Sequence, residues 1–600
     1  MIDARYRART RMAIRILPRL VLDHSGWVQV AALLDRILGA LRADDVALLR
    51  PALAQLEELG AVRSGGGAVV PTQAGENGQH LNALEEPPPA AVRDRLARVA
   101  EAVATGQVDL PQPPVEAPRD PPERALAAEV PQQAALGQQI PLLVRVVVTP
   151  DPAAPGRLTG LGEVPPEGRR IVVTVSCGGL QPEGDTAQEL LVPATGDSDA
   201  VLFMFRTMKP GLQIIRVSAF LDGTFLGELA AEVLVVASVA STRAHEVRSH
   251  MPLAATEPGE VTLQIRQSGG QYQFQFLGST LTAFETIPMV GDPHITAGRL
   301  ADELRGMARI AATANGRIAL NKLKSYGAML WGQLLPEPIR QQFWSEASGI
   351  SAFTVASDLD VIPWELLYPV DGSAENGFLA EQFPVVRRVY GQGRARVLNL
   401  ERSAFVVPHG SPANAMEEVR TVRSMLGAAD GPVLSRLAML DEAVSSAQLD
   451  LLHFACHNAF APGVGSSIAF EDGQYTPDDL SVLVQRAALR ERAPLVFLNA
   501  CRTAGEIQGL TGLLGWASQF MRAGAGAFVG TLWAVRSNTA RRFAEEFYRQ
   551  LCSDVRPSLG AASLAARRAI AHESGDPTWL AYSVYGNPAA RASGATSGGS

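Results

Sequence analysis

Two short apolar segments, each containing a reactive side chain at its carboxyl end, constrain this chain most. Residues 449–457 end in His457, and residues 494–504 carry Cys501 directly after an apolar run. Continuous apolar runs of this length are typical of strands buried on both faces of a parallel sheet. Sites in open α/β sheets are built at the carboxyl ends of strands. We therefore expect a thiol and an imidazole at neighbouring strand ends, where they can act as nucleophile and base.

The segment between the two strands favours this arrangement. It is longer than the dozen residues that a crossover between parallel strands needs, and residues 477–488 are predicted to form a helix within it. Cys501 is flanked by Asn499 and Arg502, and a predicted helix begins soon after, near Leu513. A cation or a helix start lowers the pKa of a thiol and makes thiolate available.

Two further reactive side chains in the first strand receive structural roles. His453 lies four residues before His457 and points to the same face, so we expect it to be a packed or supporting group. Cys456 points to the opposite face, and we expect it in the core. One strand cannot bring His453, Cys456 and His457 together around a metal, so we expect no metal and no cofactor.

The bulk composition limits the function classes. A chain of 600 residues predicts three or four domains. A net charge of −8 gives no general attraction to nucleic acid or to an anionic membrane. The four irregularly spaced cysteines argue against a disulfide scaffold and favour a reducing cytoplasm. No apolar run reaches the roughly 18 residues of a membrane span, so we expect no membrane association.

The helix and hairpin signals over the amino-terminal residues 1–75 predict a small winged-helix-like domain. One helix covers residues 27–38, and another opens at Asp44 and ends at Gly60 before a predicted hairpin over residues 61–71. The later helix supplies Arg50 as its cation among several carboxylates, whereas a recognition helix for DNA is more basic. We therefore favour a sensor or protein-interaction module and keep nucleic-acid binding through residues 1–75 as an alternative.

The remaining chain divides by composition and period. A Pro-, Ala- and Glu-rich linker, interrupted by a short helix around residues 92–104, is predicted for residues 76–137, and an antiparallel β-sandwich of immunoglobulin-like type for residues 138–240. A connector with a half-exposed β-hairpin occupies residues 241–290. Alternating strands and helices over residues 291–590 predict a mainly parallel α/β domain. Residues 591–600 are predicted to form a disordered tail.

The α/β region resembles the CHAT family of caspase-like cysteine peptidases, which is related to caspases and separases. The resemblance covers about residues 350–588 and extends more weakly from 290. Its motifs are Ile-Pro-Trp-Glu-Leu-Leu at 362–367, Phe-Leu-Ala-Glu at 378–381, Glu-Glu-Val-Arg at 417–420, Leu-His-Phe-Ala-Cys-His at 452–457, Leu-Asn-Ala-Cys-Arg-Thr-Ala at 498–504, Val-Gly-Thr-Leu-Trp at 529–533 and Tyr-Ser-Val-Tyr-Gly-Asn-Pro at 582–588.

The resemblance implies a cysteine–histidine dyad formed by His457 and Cys501. It also places four residues around the oxyanion and substrate pocket: Asn458, Arg502, Trp533 and Arg536. The family usually has glycine where this chain has Asn458. Relatives that cleave after Arg or Lys carry an acidic residue after the Leu-Trp strand, whereas residues 534–538 contain no carboxylate. We therefore expect an acidic or neutral P1 residue, favoured by Arg536.

The resemblance further implies a regulated endopeptidase acting on a protein substrate. CHAT proteins of bacteria are often effectors of conflict or defence systems, so we expect a cytoplasmic effector switched on by an activating protein partner. Two alternatives remain from the sequence. One is a catalytically idle CHAT scaffold, and the other is a nucleic-acid-binding regulator acting through the amino-terminal domain.

Overall fold

The computed structural model divides the chain into two compact units, Met1–Arg119 and Asp120–Ser600. The structure describes the following residues: 6, 9–10, 13–14, 24–42, 45–64, 92–93, 96, 99–100, 124–148, 164–238, 244–249, 259–268, 271–279, 285–288, 316–357, 362–372, 374–390, 395–427, 431–461, 465–500, 511–533, 535–571 and 577–593.

The first unit contains two described 19-residue helices, α1 (His24–Arg42) and α2 (Val46–Ser64). Trp27, Val30 and Leu34 of α1 are buried together with Leu53 of α2. The start of the predicted hairpin over residues 61–71 is wrong, because α2 does not end at Gly60 and continues to residue 64. A glycine costs a helix only about 1 kcal/mol relative to alanine, which is too little to end a helix by itself. Residues 65–71, the rest of that hairpin, lie outside the described residues.

The predicted linker contains part of the first unit's core. Residues 92, 93, 96, 99 and 100 are helical. Val92, Leu96 and Val99 are buried in the same apolar cluster as α1 and α2. Their spacing is that of one face of a helix, in agreement with the short helix predicted around residues 92–104, whereas their place in the first unit's core was not predicted.

A two-layer β-sandwich begins the second unit. One sheet of the described chain has the strand order β10-β1-β3-β7-β5, and the other has β2-β9-β8-β4-β6. Leu126 and Val144 of the first sheet share one apolar core with Val173 and Val217 of the second. The strands are β1 Arg124–Pro131, β2 Gln133–Ala135, β3 Gln139–Val148, β4 Arg169–Ser176, β5 Leu180–Pro182, β6 Ala187–Val192, β7 Val201–Thr207, β8 Gly211–Leu221, β9 Thr224–Val236 and β10 Ala244–Ser249.

The bounds of the sandwich differ from the prediction over residues 138–240. It starts inside the predicted linker, at Arg124, and β10 pairs antiparallel with β1 beyond residue 240. The run Ala125–Ala128 is buried on both faces of β1. Alanine is a weak strand former, so this alanine-rich strand could not be told from a linker by composition. An immunoglobulin-like topology stays a prediction.

A large mixed sheet forms the rest of the second unit. Its strand order in the described chain is β13-β12-β11-β14-β17-β27-β26-β25-β21-β19-β20. The carboxy-terminal strands are β11 Glu260–Ser268, β12 Gln271–Leu277, β13 Glu285–Pro288, β14 Ala352–Ser357, β15 Val370–Asp371, β16 Ala374–Glu375, β17 Val385–Arg388, β18 Val397–Leu398, β19 Ser403–Val406, β20 Val433–Leu434, β21 Leu451–Cys456, β22 Ala459–Ala461, β23 Gly465–Phe470, β24 Gly473–Tyr475, β25 Leu495–Ala500, β26 Ala527–Thr531, β27 Tyr582–Gly586 and β28 Arg591–Ala592.

The hairpin of the predicted connector belongs to this large sheet. β11 pairs antiparallel with β12 and parallel with β14. The expected half exposure is wrong for the positions between the apolar ones: Thr262, Gln264 and Gln275 are fully buried. The β-sandwich supplies part of the cover, since the hydroxyl of Thr262 donates to the Gly223 carbonyl at 2.7 Å.

Helices pack around the large sheet. They are α3 Gly316–Leu334, α4 Glu337–Glu346, α5 Leu379–Gln382, α6 Ala415–Leu426, α7 Leu437–Ser445, α8 Ser481–Arg486, α9 Thr511–Ala523, α10 Ser537–Leu551, α11 Leu559–Ile570 and α12 Thr578–Ala581. The start of the predicted tail is wrong, because β28 at residues 591–592 pairs with β18. Residues 594–600 lie outside the described residues. No helix among the described residues is long and apolar enough to span a membrane.

A buried ion pair fixes the centre of the large sheet. Glu365, in a short 3₁₀ turn at Trp364–Leu366, receives hydrogen bonds from Nε and an Nη atom of Arg387 at 2.9 and 2.6 Å. The hydroxyl of Ser583 on β27 donates to the same carboxylate at 2.7 Å. Both charged side chains are at most 1% exposed. The motif at 362–367 therefore has a structural role that the sequence did not indicate.

Candidate active site

Strands β21 and β25 are adjacent and parallel, in a register that aligns their ends. Cys456, the last residue of β21, pairs with Ala500, the last residue of β25. All residues of both strands are buried. The two apolar runs are therefore adjacent strands, as predicted. His457 and Cys501 are the residues that follow this last register pair in the sequence.

The predicted site residues follow the ends of adjacent strands. β26 also runs parallel to β25, and β19 runs parallel to β21, so all four carboxyl ends lie at one edge. His457 and Asn458 follow β21, and both are partly buried. Trp533 follows β26 and is 6% exposed, and Arg536 precedes α10 in the N-cap position. Cys501 and Arg502 lie outside the described residues.

Asn458 ties the turn after β21 to two neighbouring elements. Its Oδ1 accepts a hydrogen bond from the Ser466 hydroxyl of β23 at 2.7 Å and one from Nε1 of Trp516 on α9 at 3.4 Å. Trp516 also donates to Ser466 at 2.9 Å. The non-glycine residues with positive φ in the described chain do not include Asn458. The backbone at this position therefore has no need for glycine.

We expect the substitution Asn458→Gly to weaken the turn rather than to activate the protein. It removes the shared acceptor for Ser466 and Trp516 and adds backbone freedom to the unfolded chain, a loss of about 1–2 kcal/mol. Thermal unfolding followed by tryptophan fluorescence measures this loss. Asn458→Asp, which keeps an acceptor oxygen, is the matched control. Peptide cleavage that rises in the glycine variant would contradict this account of the turn.

A buried polar network lies beneath this edge of the sheet. Oε1 of Glu418 on α6 is 2.9 Å from Nε2 of His453 and accepts from the Asn499 amide at 2.7 Å. Nδ1 of His453 is 3.1 Å from the Tyr548 hydroxyl, and the Tyr582 hydroxyl donates to Oδ1 of Asn499 at 2.8 Å. Asn499 lies two residues before Cys501, so the network anchors the carboxyl end of β25.

The Tyr548 hydroxyl serves as a hydrogen-bond donor in this network. Burial, with the nearby Cys552 and Glu418, raises the pKa of Tyr548 well above its usual range, so its hydroxyl keeps its proton. That hydroxyl can donate to Nδ1 of His453, while Nε2 donates to Glu418. His453 is fully buried, as its expected supporting role requires. Sequence reasoning missed the roles of Glu418, Tyr548 and Tyr582, which are distant in sequence from the histidine.

Cys456 is a core thiol, as predicted. It is 1% exposed. Burial, and after it the charge of Glu418, raises the pKa of Cys456 far above its usual range. A thiol that stays protonated is neither a nucleophile nor a metal ligand. The reactive chemistry of this edge therefore has to come from residues that follow the strands.

An open groove of about 470 Å³ lies at the same edge, beyond the end of β19. Its lining includes Val407, His409, Ser411, Met416 and Glu471. Nδ1 of His409 is 3.8 Å from a carboxylate oxygen of Glu471, and both side chains are mostly exposed. Because β19 neighbours β21, an extended peptide that passes the end of β21 can reach this groove.

Family comparison confirms the resemblance to CHAT. The model of the CHAT domain matches residues 324–587, so this region of the chain is a CHAT domain. A second family model, that of the CATRA-Associated Small Protein, matches residues 9–106. This second match crosses the predicted boundary at residue 75, in agreement with the packing of Val92, Leu96 and Val99 into the first unit's core.

Weak similarity to solved structures is also found. The Arg-specific cysteine proteinase gingipain R is 11% identical, with a TM-score of 0.32, over 44% of this chain and 70% of that chain. The separase–securin complex of Saccharomyces cerevisiae at 3.0 Å is 11% identical, with a TM-score of 0.32, over 55% of this chain and 30% of that chain. No curated protein matches the chain. The CHAT match carries the assignment.

Proposed function

We propose that this chain is a cysteine endopeptidase whose dyad is His457 and Cys501. The observation that carries the proposal is the register of β21 and β25. Cys456 pairs with Ala500, so the two strands end at the same edge, and His457 and Cys501 come next in the sequence. The CHAT match over residues 324–587 supports the same reaction class.

The mechanism follows from these two side chains. His457 takes the thiol proton, and the sulfur of Cys501 attacks the carbonyl carbon of the scissile bond. The C–N bond breaks as the imidazolium returns its proton to the leaving amine, which leaves a thioester. Water then attacks the thioester with His457 as base, releasing a carboxylate and regenerating the thiol. Backbone N–H groups of Cys501 and of the turn at Asn458 are suited to stabilise the oxyanion.

The rest of the chain favours regulated activity. The second unit joins a β-sandwich to the CHAT domain, and the first unit is a separate compact body. We propose that the amino-terminal region receives an activating protein partner and that the chain is an effector in a bacterial defence system. The protein substrate is expected to bind across the strand ends and into the groove beyond β19.

A peptide library tests the activity and its specificity together. The full chain is incubated with proteome-derived peptides, with and without extract of the source cell, beside the Cys501→Ala variant. We expect cleavage by the wild type alone, with an acidic or neutral residue at P1, because Arg536 supplies positive charge near the pocket and residues 534–538 lack a carboxylate. The Arg536→Gln variant is expected to lose the preference for acidic P1 residues.

The outcomes separate the possible readings. Strong cleavage after Arg would overturn the P1 assignment while leaving the peptidase in place. Cleavage that requires extract would identify a missing activator. Absence of cleavage by the wild type, both with and without extract, would favour the idle-scaffold alternative, in which the fold is used for recognition.

A further inference from the structure

A cavity of about 190 Å³ lies between the β-sandwich and the large sheet, far along the sheet order from β21 and β25. The sandwich contributes Ser176, Thr186 and Arg216 to its lining. The large sheet contributes Arg266 of β11 and Gln273 of β12. The cavity is therefore a polar space inside the second unit, separate from the candidate active site.

Arg266 is the unusual member of this lining. Its side chain is 4% exposed, and one Nη atom donates to the Thr174 hydroxyl at 3.3 Å. Its guanidinium lies 5.4 Å from the ring centroid of Tyr390. The Nε of Arg266 has no hydrogen-bond partner. Within the part of the chain that the structure describes, no carboxylate pairs with this guanidinium.

The neighbouring charges do not compensate for Arg266. Glu228 of β9 forms ion pairs with Arg216 at 3.4 Å and with Arg388 at 3.3 Å. One carboxylate thus serves two guanidinium groups, and neither of these ion pairs involves Arg266. A buried charge without a partner is costly, because arginine cannot lose its proton in a protein.

We propose that this cavity binds a small phosphate-type oxyanion, with Arg266 as its principal ligand. A guanidinium matches phosphate geometry through paired hydrogen bonds, and Arg216, Thr186 and Gln273 offer further donors around the same space. The volume lies below the 300–1,000 Å³ that is typical of pockets for drug-sized ligands, so it suits free phosphate or the phosphate group of a small metabolite. The bound anion would neutralise the buried charge and join the sandwich to the CHAT domain.

Equilibrium dialysis with radiolabelled inorganic phosphate tests the site on the full chain. Potassium chloride at matched ionic strength is the background, and unlabelled phosphate, glycerol 3-phosphate and succinate are the competitors. We expect saturable binding that phosphate displaces, with an affinity that falls at least about tenfold in Arg266→Met, since one good charged contact is worth this much or more. Stronger displacement by glycerol 3-phosphate than by phosphate would identify a phosphate monoester as the ligand.

Two controls keep the test decisive. Arg170 is an exposed arginine of β4, in the sandwich sheet that also contains Arg216 on β8. The variant Arg170→Gln is expected to bind phosphate as the wild type does. Thermal unfolding shows whether Arg266→Met folds. We expect it to melt at or above the wild-type temperature in chloride, because an apolar group replaces an unpaired buried charge. It should also lack the rise that phosphate gives the wild type. Absence of saturable binding by the wild type, equal binding by the methionine variant, or displacement by succinate alone would overturn the proposal.

Discussion

Replacing Cys501 by alanine is expected to remove peptide cleavage, with a fall in kcat/KM on the order of 10⁴-fold or more. The reason is that, in the proposed mechanism, the thiol supplies the bond to the substrate carbonyl. His457→Ala is expected to produce a comparable loss. Because the two residues act as one unit, the double variant is expected to be no worse than either single one. Steady-state cleavage of the best library peptide measures all three.

Alkylation identifies the nucleophile independently of any substrate. The three described cysteines are poor nucleophiles. Burial comes first among the causes that raise the pKa of Cys177 and Cys456, and burial raises the pKa of Cys552 to about 11. Iodoacetamide near pH 7 is therefore expected to label Cys501 first, with the sites identified by mass spectrometry.

The control for the thiol substitution is Cys552→Ala. Cys552 caps α10 and is partly buried, so this variant removes a thiol without touching the strand ends. We expect its kcat/KM to equal that of the wild type. Full activity in Cys501→Ala, or loss of activity in Cys552→Ala with retained folding, would show that the nucleophile has been assigned to the wrong residue.

Breaking the buried pair of Glu365 and Arg387 is expected to produce the largest change in stability. The variant Glu365→Ala leaves a guanidinium buried without its carboxylate, which costs about 3–5 kcal/mol of unfolding free energy. Chemical denaturation followed by tryptophan fluorescence measures the change, since Trp364 directly precedes Glu365 in the chain. The double variant with Arg387→Met removes both charges, and we expect it to recover much of the loss.

The same pair predicts a loss of stability in acid. Burial by itself would raise the pKa of Glu365, but the charge and hydrogen bonds of Arg387, with Arg567 and Ser583, outweigh it and hold the pKa below its ordinary value. A carboxyl whose pKa is lower in the folded state stabilises the fold above its unfolded pKa, about 4.3, and this contribution is lost as the pH falls. The acid loss is expected to be absent from the double variant.

An exposed pair of the same type provides the comparison. Arg170 and Glu189 form a surface ion pair on the sandwich at 2.8 Å, where solvent screens the charges. We expect Glu189→Ala to change the unfolding free energy by less than about 1 kcal/mol. A similar small change for Glu365→Ala would mean that the central pair does not hold the sheet together as its burial indicates.

Sequence reasoning found the strands of the site because their signal is local. Each of β21 and β25 is a continuous apolar run, and continuous burial on both faces is what such a run predicts. Their adjacency followed from the length of the crossover between them. The hairpin of β11 and β12 was found in the same way, from alternation along a few residues.

The supporting network was not found because its contacts are long-range. Glu418 is 35 residues from His453, and Tyr548 is 95 residues from it. No pattern in one sequence connects such positions. The start of the sandwich was missed for a different reason, since an alanine-rich strand and an alanine-rich linker have the same composition until burial separates them.

The hairpin that enlarges the central sheet has a consequence for the evolution of such chains. The family match begins at residue 324, yet the sheet of this CHAT domain begins at Glu260, and its hairpin contacts the β-sandwich through Thr262. Recombination at residue 324 would divide one continuous sheet and leave β14 with an unpaired edge. A boundary after Arg119, where the first unit ends, divides neither the sandwich nor the large sheet. A boundary that keeps both structures whole therefore has to lie before the sandwich, and the sandwich and the large sheet have to be exchanged together.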